Sequence, residues 1–101
     1  MEKIGTAELD LKLGTAPFIL LDFSSPGCVP CKKIARELPS LLSAMNPVSI
    51  EAFEVDITTD PSIASRFLVL GVPTLILLKE GREIARFNSL PKMDTLKRLL
   101  S

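Results

Sequence analysis

Cys28 and Cys31 are the only cysteines of this chain, and two residues separate them in the stretch Ser24-Ser25-Pro26-Gly27-Cys28-Val29-Pro30-Cys31-Lys32-Lys33. Thiols this close can exchange with a disulfide, ligate a metal or simply pack. Their flanks favour the first. An apolar run, Phe18 to Phe23, leads in and reads as a strand, and a helical pattern leads out. A strand that delivers a Cys-x-x-Cys to the start of a helix sets the first thiol among unpaired backbone N–H groups. Those groups and the helix dipole favour the thiolate, which is the nucleophile. The chain has no histidine and no third cysteine, so a four-ligand zinc site within one chain cannot be completed. Zinc bridged between two chains is a remote alternative.

Asp22 is the second group that could do chemistry. It interrupts the run Phe18-Ile19-Leu20-Leu21-Asp22-Phe23. A carboxylate in a strand buried on both faces is costly if ionised and unpaired, so such a residue is protonated, paired or functional.

The composition narrows the class of function. The 101 residues fit one domain spanning 1–101, and 47% of them are hydrophobic, which argues against disorder. Twelve basic residues balance twelve acidic ones, and no basic run offers a footprint for nucleic acid or an anionic membrane. The first ten residues are mixed and charged, unlike a signal peptide. The longest apolar run, Phe67 to Val72, is broken by Gly71 and is too short to span a bilayer. The expected location is the cytoplasm, where a close cysteine pair is catalytic or metal-binding before it is structural. No Gly-x-Gly-x-x-Gly follows a strand, so electrons must come from a partner rather than from a bound nicotinamide or flavin.

The elements that must position these residues follow from periodicity. Residues 1–16 carry a short helix, with Thr6 as its N-cap and Gly14 at its stop. After Cys28, the residues Ile34, Ala35, Leu38, Leu41, Leu42 and Met45 form one helical stripe. Pro39 is expected to kink that helix and Asn46-Pro47 to end it. Val48 to Asp56 holds a second strand, where the shift in alternation at Ala52-Phe53 suggests a bulge or burial on both faces. Asp60 caps the next helix with Pro61 in its first turn, and Gly71 ends it. Leu75 to Leu78 and Glu83 to Phe87 form a hairpin about a Lys79-Glu80-Gly81-Arg82 turn. Met93, Leu96, Leu99 and Leu100 mark a last amphipathic helix. The order is α-β-α-β-α-β-β-α, in which the two strands joined by the long helix pair in parallel with a right-handed crossover.

With these pieces in place the chain resembles the thioredoxin family. The matching motifs are Asp22-Phe23, Cys28-x-Pro30-Cys31-Lys32, Asp60-Pro61 and Gly71-Val72-Pro73-Thr74, in the family's order and spacing over nearly the whole chain. The resemblance implies an α/β thioredoxin-like fold, with a central mixed four-stranded sheet (a parallel pair plus an antiparallel hairpin) and helices on both faces. The first strand of the family is expected to be missing or reduced to a few residues. The implied activity is a thiol–disulfide oxidoreductase that reduces protein disulfides through a mixed disulfide. Cys28 is then the attacking thiol and Cys31 the resolving one, and the two form a redox-active disulfide with no bound cofactor and no metal. Asp22 matches the buried aspartate that exchanges a proton with Cys31. Pro73 is implied to be cis, beside the disulfide, with the Val72 backbone pairing with an extended client. Gly27, Val29, Pro30, Val72 and Pro73 form the client-facing rim, and Asn88 is a further candidate. The implied partners are disulfide-containing client proteins and an external donor such as a thioredoxin reductase-type protein, served by a monomer in electron transport and cell redox homeostasis.

The chain departs from the family pattern at named positions. Gly27 stands where a tryptophan is common, Val29 where a glycine is, and Arg36 where the helix-kinking proline is. Asn88 replaces a glycine after the last strand, and Glu54 replaces a lysine that faces the aspartate. Two carboxylates at Asp22 and Glu54 cannot both ionise cheaply, so Glu54 is expected to modulate Asp22. Pro30 cannot donate a hydrogen bond to either sulfur, which leans the pair toward a reductant. The alternatives are a disulfide oxidase or isomerase, separated by redox potential, and a non-catalytic binding module that would keep its activity without the cysteines.

Overall fold

The computed structural model describes residues 1–45 and 50–101. The expected helix end at Asn46-Pro47 and the strand start at Val48 lie outside the described residues. The elements are β1 (Glu2–Lys3), α1 (Thr6–Leu13), β2 (Phe18–Ser24), α2 (Val29–Met45), β3 (Ile50–Asp56), α3 (Pro61–Arg66), β4 (Thr74–Lys79), β5 (Arg82–Phe87) and α4 (Met93–Leu100). One sheet runs in the order β1-β3-β2-β4-β5. The β1, β3 and β2 strands are parallel, and β4 and β5 are antiparallel to their neighbours.

Every residue of β2 is buried, because the strand has a neighbour on each edge and helices over each face. Its side chains alternate between two cores. Ile19, Leu21 and Phe23 point to the face of α1 and α3, with Leu9, Ile63, Ile76 and Leu78. Phe18 and Leu20 point to the face of α2, with Ile34, Leu38, Leu75 and Leu77. By the same alternation Asp22 belongs to the α2 face, under the helix that carries Cys31.

Five strands stand where four were expected. The additional strand is the pair Glu2–Lys3, which lies beside Phe53 and Glu54 of β3. It is too short and too charged to show a strand pattern in the sequence, and a short charged edge also resists unwanted pairing. Thr6 is not an N-cap: Gly5 holds that position, and Thr6 is the first helical residue. Its amide and hydroxyl instead donate to Asp60 Oδ2 at 3.2 and 3.3 Å. Asp60 caps α3 as expected, accepting from the Ser62 amide at 3.2 Å. That helix stops at Arg66, well before Gly71, because Leu68 adopts a left-handed φ of 54° that a helix cannot continue through. The β2–β3 register runs without a break, so no bulge lies at Ala52-Phe53. The irregularity falls instead in the hairpin, where Leu77 pairs with Ala85 and Leu78 with Glu83, leaving Ile84 as the extra residue. Pro39 lies inside α2, which is continuous through it.

Candidate active site

The β2 strand ends at Ser24, and the chain turns through Gly27, whose φ of 82° suits a residue without a Cβ. The α2 helix begins at Val29, so Cys28 stands immediately before its first turn. Cys28 and Cys31 are joined by a disulfide, with Cα atoms 5.3 Å apart. The Cys31 amide donates to Cys28 Sγ at 3.2 Å. This is one of the N–H groups that a helix leaves unpaired at its start, and here it is aimed at sulfur. Cys28 is partly exposed whereas Cys31 is only 3% exposed, which makes Cys28 the sulfur an incoming disulfide can reach. The same turn leaves Val29 and Pro30 exposed.

Asp22 is fully buried, and neither of its carboxylate oxygens has a hydrogen-bond partner among the described residues. Burial pushes its carboxyl from the ordinary 3.8 up to about 7, and the neighbouring Glu54 acts in the same direction. The register explains the second effect: Asp22 pairs directly with Glu54 across β2 and β3, and their side chains share a face. Glu54 is half-buried. The two residues therefore lie side by side across the paired strands.

The Val72–Pro73 bond is cis. Thr74 Oγ1 donates to the Gly71 carbonyl at 2.7 Å, which closes the loop around it. Val72 and Pro73 are half-buried. Pro73 lies between two cavities. One, of about 290 Å³, is lined by Pro30, Lys33, Ile34, Pro73, Asn88 and Leu90 among others. The other, of about 550 Å³, includes Leu68, Leu70, Val72, Pro73, Arg86 and Asn88. Pro30 of the cysteine turn and the cis proline thus share one cavity wall, and Asn88 borders both cavities. Gly27 and Val29 border neither.

Leu68, Leu70 and Arg86 were not legible as site residues. The run Phe67 to Val72 reads as the end of a helix, and only the left-handed turn at Leu68 puts its leucines outside. An apolar stretch placed directly before Gly-Val-Pro was the available signal. Among the described residues no cluster of three or more metal-ligating side chains occurs, and no helix is long and apolar enough to cross a membrane.

A family model described as Thioredoxin matches residues 3–101. The chain is 37% identical to a thioredoxin of Chlamydia trachomatis over 83 residues, covering 82% of this chain and 79% of that one. It is 35% identical to a thioredoxin of Chlamydia caviae over 101 residues, covering 100% of this chain and 97% of the relative. Among solved structures, Trxlp from Edwardsiella tarda superposes with a TM-score of 0.83 at 25% identity, covering 99% of this chain and 97% of that one.

Proposed function

The chain belongs to the thioredoxin family and is a thiol–disulfide oxidoreductase that reduces protein disulfides; we propose that Cys28 attacks, Cys31 resolves, and Asp22 takes the Cys31 proton and passes it to the departing client. The observation that supports these roles best is the Cys31 amide directed at Cys28 Sγ, at the start of α2, above a buried carboxyl on the same face of the sheet. In the reduced chain that amide favours Cys28 as thiolate. The thiolate attacks one sulfur of a client disulfide. The client S–S bond breaks, a mixed disulfide forms on Cys28, and the departing client sulfur takes up a proton. Asp22, ionised, accepts the Cys31 proton through a water, and the Cys31 thiolate attacks Cys28 Sγ. The second client sulfur leaves Cys28 and takes the proton held by Asp22, so the client departs as a dithiol and the Cys28–Cys31 disulfide remains. Two electrons and two protons from an external protein donor, of the thioredoxin reductase type, restore the dithiol.

Each remaining role has its own support. A group that must alternately hold and release a proton near neutral pH needs the raised value that burial and Glu54 give Asp22. The Val72 backbone beside cis-Pro73 offers main-chain pairing to an extended client, and Gly27, Val29 and Pro30 form the opposite rim. Residues 1–101 act as one domain, a monomer in the cytoplasm, where such a pair is kept reduced and no bound cofactor is required.

Trapping tests this reading. Cys31→Ser leaves no resolving thiol, so clients should accumulate as mixed disulfides on Cys28 that mass spectrometry identifies. A reduced Cys31→Ser chain that captures nothing from a lysate whose free thiols are alkylated and whose disulfides are intact, while Cys28→Ser retains activity, overturns the assignment.

A further inference from the structure

We propose that Leu68 and Leu70 form an aliphatic selectivity site for the client segment that flanks the disulfide under attack, an inference that rests on the reductase reading above. Leu70 is 99% exposed and Leu68 76% exposed, although large aliphatic side chains are normally withdrawn from water. The backbone beneath them is firmly held. The Leu68 amide donates to the Ser65 carbonyl at 3.2 Å and the Val69 amide to the Ala64 carbonyl at 2.8 Å. Arg86 clamps the same turn from β5, donating from Nη2 to the Phe67 carbonyl at 2.6 Å and from Nη1 to the Leu68 carbonyl at 3.3 Å. Val69, between the two leucines, packs into the α1/α3 core. The left-handed Leu68 is a conformation that bulky residues seldom adopt, and these bonds fix it.

The leucines line the larger cavity together with Val72, Pro73 and Asn88, and Pro73 and Asn88 also line the smaller cavity beside Pro30. A client strand paired with Val72 therefore lays its side chains along them. Among the described residues the one cation lining the larger cavity, Arg86, is already bound to Glu83 at 2.7 and 2.9 Å, which leaves no free charge among them to attract an acidic residue. The occupant that fits is a Leu, Ile, Val or Met side chain close to the reactive cysteine of the client.

The test uses the reduced full chain and two synthetic peptide disulfides that differ only in carrying Leu or Ser two residues to each side of the cysteine. Each rate is divided by the same protein's rate on bis(2-hydroxyethyl) disulfide, which is too small to reach the leucines. The native chain should favour the Leu peptide by about tenfold in the single-turnover second-order rate constant. Leu70→Ser and Leu68→Ser should each lower that preference several-fold. Equal normalised rates of the native chain on the two peptides, or a preference unmoved in both variants, overturn the proposal. A native chain inert toward the small disulfide overturns the reductase reading itself. A native dimer in sedimentation equilibrium that Leu70→Ser dissociates assigns the leucines to a second copy instead, and also overturns it.

Discussion

At position 22 the chain places a carboxyl where its neighbours along β2 are aliphatic or aromatic, and Glu54 stands beside it on β3. Between pH 3.8 and about 7 the folded chain keeps a proton on Asp22 that the unfolded chain has released. Stability therefore falls as pH rises through that window and stays low above it. Asp22→Asn removes the penalty. Urea unfolding should show the variant more stable by about 2–4 kcal/mol at pH 8, at about 1.4 kcal/mol per pH unit, with the gain nearly gone at pH 4. From the role proposed for Asp22, the same variant should resolve mixed disulfides more slowly. Glu54→Gln should shift the Asp22 titration to lower pH in a carboxyl NMR titration without returning it to 3.8, since burial is the larger cause. Asp22 was conspicuous in the sequence because polarity breaks an apolar run. That Glu54 lies beside it depends on the β2–β3 register, which no local pattern contains.

The helices show the same division between local and distant causes. Asp60 and Pro61 mark the start of α3 because capping acts within one turn. The second role of Asp60 was hidden: its other oxygen receives Thr6, 54 residues away, and ties α1 to α3 under one core. The hydrogen bonds from Ser62, and then those from Thr6, hold its carboxyl below the usual range. A depressed carboxylate contributes stability above its unfolded value and loses it as pH falls through the folded one. Asp60→Ala should thus lower Tm at pH 7, with the deficit shrinking as pH falls below 3.8, as thermal unfolding by circular dichroism would show. The end of α3 falls short of Gly71 for a related reason. A leucine at positive φ carries no sequence signal, and Arg86 reaches the turn from β5.

Two cores share one strand in this molecule, and both must survive reduction for the chain to cycle. The Cys28–Cys31 link spans a sequence separation of only 3, so it removes little freedom from the unfolded chain. The oxidised form should exceed the reduced form by about 2 kcal/mol in denaturant titration, with one cooperative transition in each state. Two separated transitions on reduction would show that the α2 face melts independently of the α1/α3 face.

The sequence by itself determined the chemistry and the helix that carries it. Two cysteines at the start of an amphipathic pattern, an aspartate in an apolar run and a Gly-Val-Pro-Thr are local signals, and each acts through neighbours within a few residues. Only the tertiary structure decided what surrounds that chemistry: Glu54 beside Asp22, Asn88 at the meeting of two cavities, and Leu68 and Leu70 held in solvent by Arg86. Those relations join residues far apart in the chain, through strand register and long-range hydrogen bonds. The Cys28–Cys31 turn is thus a local device, and the surface beside it is a product of the whole fold.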